Sequence, residues 1–174
     1  MNFSPREIIL EGWHGQLNAG DDAFALVIAD RIRRSAPQSR IAIYKDISNR
    51  LYRQAGLAVA SSPLVTSLCL VRLRWRYILS RATARVLGGG SVFGPHFSEP
   101  RTEWWERRGI PSVAIGVSVG PFASERHELG VLRYLEKCDF VSFRDSESAA
   151  WAARHCLDSE WVESFDLAVL MRTP

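Results

Sequence analysis

The stretch Gly12-Trp13-His14-Gly15-Gln16-Leu17-Asn18-Ala19-Gly20-Asp21-Asp22 constrains this chain more than any other. Ahead of it, Glu7-Ile8-Ile9-Leu10-Glu11 is short, branched and apolar, the pattern of a buried strand. Behind it, Phe24, Leu26, Val27, Ala29 and Ile32 recur at helical spacing over 23–34. The spacing predicts a strand, a glycine-rich turn and a helix. Glycine lets such a turn take positive φ and bring backbone close to a ligand. Asp21 and Asp22 fall in the first helical turn, where the macrodipole favours negative charge. Unpaired N–H groups at the same turn can face an anion. Turn and cap chemistry alone would also use Gly and Asp, and the spaced dinucleotide motif G-x-G-x-x-G is absent from the turn. The density argues for more than a turn: three Gly, one Asn and two Asp stand within eleven residues.

The rest of the chain alternates strand and helix, which predicts an α/β fold with a mostly parallel sheet and helices on both faces. Further strands are expected at 41–44, 57–60, 84–87, 111–121, 139–143 and 161–163. Helices are expected at 47–54, 63–81, 103–108, 124–137 and 147–156, with Ser124 capping one and Asp145 or Ser146 another. Residues 165–170 close the chain. With 174 residues and 47% hydrophobic content, one domain with a full core is expected. No apolar run reaches the roughly 18–20 residues of a membrane span, and no signal-peptide core precedes the first strand. Cys69, Cys138 and Cys156 are scattered, which fits reduced cytoplasmic thiols better than disulfides or zinc. No metal-ligand spacing stands out.

The formal net charge is +3, and the positive residues are nearly all Arg. That suits phosphates, carboxylates or an anionic membrane surface, and is too dispersed to argue for nucleic acid. Within 63–81, Arg72, Arg74, Arg76 and Arg81 flank an apolar stripe of Leu64, Leu68, Val71, Trp75 and Ile78. Snorkelling core arginines and contact with anionic lipid or a phosphorylated substrate both explain that pattern.

Four segments each follow an expected strand: 12–22, Gly88-Gly89-Gly90-Ser91, 116–121 and 144–148. In a parallel sheet these ends share one rim, where ligands bind. The triple glycine is expected to leave its strand there and present successive N–H groups to an anion. Arg144 is the best single candidate, since a guanidinium binds carboxylate or phosphate in a bidentate way. Its bland alternative is an ion pair with Asp145 or a neighbour. His14 sits in the first turn and His96 follows the triple glycine, while His127 and His155 fall on expected helices.

This ordered set resembles the polysaccharide pyruvyl transferases. Their opening pattern G-x-x-G-x-x-N-x-G-D-[DE]-A is filled by Gly12, Gly15, Asn18, Gly20, Asp21, Asp22 and Ala23. G-G-G-S is Gly88 to Ser91, G-x-x-x-G-P is Gly116, Gly120 and Pro121, R-D-x-x-S is Arg144, Asp145 and Ser148, and the closing D-x-A is Asp166 and Ala168. Val117 stands where Gln is common, Gly94 near a usual acidic position, and Leu167 in place of the usual Pro.

The resemblance implies a Rossmann-like three-layer α/β/α domain, like one half of a GT-B type fold. The whole chain, 1–174, would then be one such domain, equivalent to the N-terminal half of a two-domain enzyme with the second domain absent. It implies transfer of a pyruvyl group from phosphoenolpyruvate to a sugar, as a ketal on a cell-surface polysaccharide or its lipid-linked oligosaccharide precursor. No cofactor is implied, since phosphoenolpyruvate is the donor substrate. Asp21 and Arg144 would be catalytic. His14, Gly15, Asn18, Gly20, Gly88, Gly89, Gly90, Ser91, Gly120 and Ser148 would bind substrate. The family's catalytic histidine belongs to the second domain, and no residue here is matched to it. A GT-B glycosyltransferase domain and an incomplete acceptor-binding module are the alternatives. The expected location is cytoplasmic or peripheral at the inner face of the membrane, with the second half or another copy as partner and no nucleic acid.

Overall fold

A computed structural model describes residues 7–12, 19–44, 52, 54–60, 80–97 and 108–171. Its centre is a seven-stranded sheet, β1 (Glu7–Glu11), β2 (Arg40–Tyr44), β3 (Ala58–Ala60), β4 (Ala82–Phe93), β5 (Ser112–Val119), β6 (Phe140–Phe143) and β7 (Glu160–Glu163). The spatial order is β3-β2-β1-β4-β5-β6-β7, and every neighbouring pair is parallel. Between them lie helices α1 (Ala19–Ser35), α2 (Glu125–Leu135) and α3 (Ser146–Arg154), and a 3₁₀ turn at Leu167–Leu170 follows β7. The chain is thus a Rossmann-like α/β fold. The chain winds outward from β1 to β3, then returns to place β4 on the other side of β1. That reversal makes a crevice between β1 and β4 at their carboxyl ends, the place where open parallel sheets bind ligands.

Strand alternation divides the core between two faces. Leu10, Ile41, Ile43 and Val86 lie under Ala25, Ile28 and Ala29 of α1. Leu87, Ala114, Val141 and Phe143 lie under Val131, Tyr134 and Leu135 of α2 and Trp151 and Ala152 of α3. The ends of α1 match its dipole, with Asp21 and Asp22 in the first turn and Arg33 and Arg34 in the last. Ser124 Oγ caps α2 by accepting from the His127 N–H, and Asp145 caps α3 by accepting from the Ser148 N–H.

Two expectations need correction. The first helix begins at Ala19 rather than Ala23, because Gly20 and the two aspartates suit the first helical turn. The triple glycine does not leave the sheet. β4 continues through it to Phe93 because β5 runs alongside, pairing Gly88 with Ile115, Gly90 with Val117 and Phe93 with Val119. The ladder shifts register between Gly90 and Phe93, where Gly89 (φ 103°) and Gly90 (φ 68°) allow the distortion. Gly88 serves packing: a Cβ there would stand 2.4 Å from Ile28 Cδ1 of α1. The strand at 58–60 and the edge strand β7 form as expected. The helices expected at 63–81 and 103–108 lie outside the described residues except at Ser80, Arg81 and Arg108, and the one at 47–54 is described only at Tyr52 and Gln54.

Candidate functional site

The crevice holds a cleft of about 480 Å³. Its charged lining comes from three distant segments: Asp21 from the first turn of α1, Arg144 just after β6, and Asp166 before the 3₁₀ turn. Gly90, Ser91 and Gly120 add strand-end backbone, and His96 lines one side. Phe24 and Phe97 supply apolar wall.

Arg144 is fixed on several sides. Its Nε donates to Ser118 Oγ at 2.6 Å, Nη2 donates to Ser91 Oγ at 3.2 Å, and Nη1 lies 3.3 Å from Asp166 Oδ2. The guanidinium carbon is 6.0 Å from the Phe24 ring centroid, within cation–π range. Asp166 splits its oxygens, with Oδ1 accepting from the Ala168 N–H at 2.9 Å and Oδ2 turned to Arg144. Asp21 is buried close by: a Cβ on Gly90 would lie 2.6 Å from Asp21 Oδ1 and 3.7 Å from Arg144 Nη1. Only glycine at this position allows the carboxylate and the guanidinium to approach β4 so closely.

Behind Arg144 stands a relay built from one short motif. Ser118 Oγ donates to Asp145 Oδ2 while accepting from Arg144. Asp145 Oδ1 accepts from the Ser148 N–H at 2.8 Å, and Ser148 Oγ accepts from the Val119 N–H at 3.0 Å. Burial pushes the Asp145 carboxyl up, but hydrogen bonds from Ser118 and Ser148 and the nearby Arg144 charge outweigh it, so its pKa is lowered. A depressed folded-state pKa gives stability that is present above the unfolded value, about 3.9, and is lost as pH falls through the folded value. The stability difference between wild type and Asp145→Asn is therefore expected to be full at pH 6 and to shrink progressively below about pH 4. Urea unfolding across that range checks it, and a difference that stays constant with pH contradicts it.

Of the residues singled out from sequence, Gly20, Asp21, Gly90, Ser91, Gly120 and Arg144 line this one cleft. His14, Gly15 and Asn18 lie outside the described residues. Gly88 packs on α1, and Gly89 lies buried within β4 rather than on the cleft lining. Ser148, 1% exposed, clamps β5 instead of facing the cleft. The ion pair weighed for Arg144 is present, but with Asp166 rather than Asp145. Sequence reasoning gave Asp166 no role in the site and passed over Ser118, whose signal was a lone hydroxyl near the end of an apolar strand. Among the described residues, no group of three or more His, Cys, Asp or Glu is arranged to hold a metal.

Fold and cleft together define a Rossmann-like domain that gathers carboxylates and one guanidinium at its topological switch point. The chain belongs to the polysaccharide pyruvyl transferase family, whose family model matches residues 18–173. No curated protein and no solved structure matches it significantly. The family name carries a transferase function in general terms. No helix among the described residues is long and apolar enough to cross a membrane.

Proposed function

We propose that the cleft serves the transfer of a pyruvyl group from phosphoenolpyruvate to two hydroxyls of a sugar in a cell-surface polysaccharide or its lipid-linked precursor. The observation that carries this reading is the pairing of Arg144 with Asp21 across Gly90 in a cleft of substrate size. The reaction needs both kinds of group. A proton adds to the methylene carbon of phosphoenolpyruvate, leaving oxocarbenium character on the neighbouring carbon. One sugar hydroxyl attacks that carbon and loses its proton, phosphate departs with the electrons of its C–O bond, and the second hydroxyl adds to the oxocarbenium carbon so formed and closes the ketal, its proton passing to the released phosphate. A carboxylate that orients or deprotonates the hydroxyl assists the attack. A fixed guanidinium holds the carboxylate or phosphate of the donor as charge develops.

Asp21 is assigned the acceptor hydroxyl and Arg144 the donor anion. The Arg144–Asp166 contact is long at 3.3 Å and Asp166 is 46% exposed, so an incoming anion can take its place. His96 is a second group able to move a proton at the same wall. A second half, contributed by another domain or another copy, would close the cleft from water and supply the remaining acid. The reaction would take place in the cytoplasm, peripherally at the membrane when the acceptor is lipid-linked.

One observation favours a second reading. Two carboxylates, Asp21 and Asp166, surround a single guanidinium, a balance that suits neutral polyols as well as anions. On that reading this chain binds the acceptor and the donor sits elsewhere. Turnover separates the two roles of Asp21. With phosphoenolpyruvate and polysaccharide fragments, Asp21→Asn is expected to slow phosphate release and growth of the ketal methyl signal by about 10²–10⁴-fold. An unchanged rate would remove Asp21 from the chemistry.

A further inference from the structure

A second concavity, of about 340 Å³, lies beside the first on the other side of Phe97. Its floor is one face of α2. Arg126 and Arg133 are seven residues apart, so they lie within about 20° of each other around the helix and about 10 Å apart along it. Gly130 falls between them on the same face, and a Cβ there would meet nothing within 4 Å. The floor between the two guanidinium groups is therefore open. The walls are Phe97 and His127.

The charges at this groove are uncompensated. Among the described residues, neither arginine has an ion pair or hydrogen bond. Glu128 of the same helix is committed elsewhere: it accepts from Trp151 Nε1 at 2.6 Å and lies 3.4 Å from His155 Nε2. His127 is committed too. Its Nδ1 accepts from the Ala123 N–H at 3.4 Å, which leaves Nε2–H to donate to the Phe97 carbonyl at 3.1 Å. That pair of bonds ties the loop after β4 to α2 and gives the groove a fixed wall. Two guanidinium arms over a bare floor, flanked by an aromatic ring, suit an elongated anion with two phosphate groups.

We propose that Arg126 and Arg133 form a second anion-binding site, separate from the Arg144 cleft, that takes a diphosphate group. A molecule seated in the cleft and extending past Phe97 would bring such a group onto α2. The group can belong to a soluble phosphorylated sugar or to a membrane-anchored headgroup.

Inorganic pyrophosphate titrated into the intact chain by calorimetry at low salt is the first probe. Arg126→Ala/Arg133→Ala is expected to weaken it by at least about tenfold, as loss of charge-assisted hydrogen bonds implies. Gly130→Glu keeps both arginines and sets an acid between them, and the same loss is expected. The titrations are repeated in the Arg144→Ala background, which removes anion binding in the cleft; the loss caused by Arg126→Ala/Arg133→Ala is expected to persist there, so loss of this site and failure of the donor-site reading are read from different variants. Co-sedimentation with phosphatidylcholine vesicles carrying a polyprenyl diphosphate, if lost in the double variant, identifies a lipid source. Pyrophosphate binding without co-sedimentation identifies a soluble one. Pyrophosphate binding abolished by Arg144→Ala alone, binding in the Arg144→Ala background that survives Arg126→Ala/Arg133→Ala, or binding to neither probe would overturn the proposal.

Discussion

Replacing Arg85 by alanine is expected to lower the stability of the chain by about 3–5 kcal/mol, the range for breaking a buried ion pair from one side. Arg85 sits on β4 in the middle of the sheet with 2% exposure. Its Nε and Nη2 both donate to Glu11 Oε2, at 2.8 and 2.6 Å, and its guanidinium carbon lies 5.3 Å from the Tyr134 ring centroid. Burial alone would lower the Arg85 pKa, yet Glu11 and its hydrogen bonds hold it raised, so the guanidinium stays charged. Removing the guanidinium strands the Glu11 carboxylate, 18% exposed, and opens a void against Tyr134 and Cys138. The Cys138 thiol is a second reporter. Burial pushes it up to about 11, against the pull of Arg85. It is protonated at pH 7 and unreactive in the intact core. Urea unfolding measures the loss as a lower midpoint at constant slope. The double variant Arg85→Met/Glu11→Leu is expected to recover most of it, because replacing both partners by apolar groups removes the stranded charge. A midpoint within error of wild type for Arg85→Ala would show that the pair carries no stability.

Gly116→Ala is expected to cost about 2–5 kcal/mol and to disturb the cleft as well. Gly116 has φ 63°, and an L-residue in that region costs about 1–2 kcal/mol. Its Cβ would also stand 2.9 Å from Leu167 Cδ1, 3.0 Å from Leu167 Cγ and 3.0 Å from Phe24 Cε1, and overpacking of that kind costs about 1–3 kcal/mol. The glycine lies at the register shift between Ile115 and Val117, where β5 yields room for the closing segment to dock. Leu167 is that segment's anchor, and it lies between Asp166 and Ala168, both on the cleft lining. Pushing it away lengthens the Arg144–Asp166 contact. Thermal unfolding measures the loss. Gly116→Ala/Leu167→Ala is expected to relieve the Leu167 part of the clash but neither the Phe24 contact nor the backbone strain, so it recovers part of the effect relative to Leu167→Ala alone. A melting temperature for Gly116→Ala equal to wild type would contradict this.

The parts of this fold that are local were readable from the chain. The apolar run at 7–11 and the capping residues Ser124 and Asp145 each carry their signal within a few residues. Parallel alternation then brought Asp21, Gly90, Ser91, Gly120 and Arg144 to one rim without any knowledge of contacts. What failed depended on neighbours distant in sequence. Three glycines in a row read as a turn, and only the presence of β5 alongside keeps them in a strand. Ser148 looked like a ligand group because it follows Arg144 and Asp145, but a helical turn aims it back at the Val119 N–H. Asp166 was legible as a motif residue only, since its partner Arg144 is 22 positions earlier and meets it through the return of the chain after β7. Gly88 carries helix packing rather than ligand approach for the same reason: Ile28 comes from another element.

The most direct test of the donor-binding account is the thermal unfolding of this chain with and without phosphoenolpyruvate, repeated with Arg144→Ala. A ligand at about 100 times its dissociation constant adds roughly 2.7 kcal/mol of stability. The account predicts a rise of that order for wild type and none for Arg144→Ala; the side chain is 25% exposed at the cleft, and an unligated melt of the variant checks that it folds. No rise in wild type at saturating phosphoenolpyruvate, or a rise that survives Arg144→Ala, would contradict it.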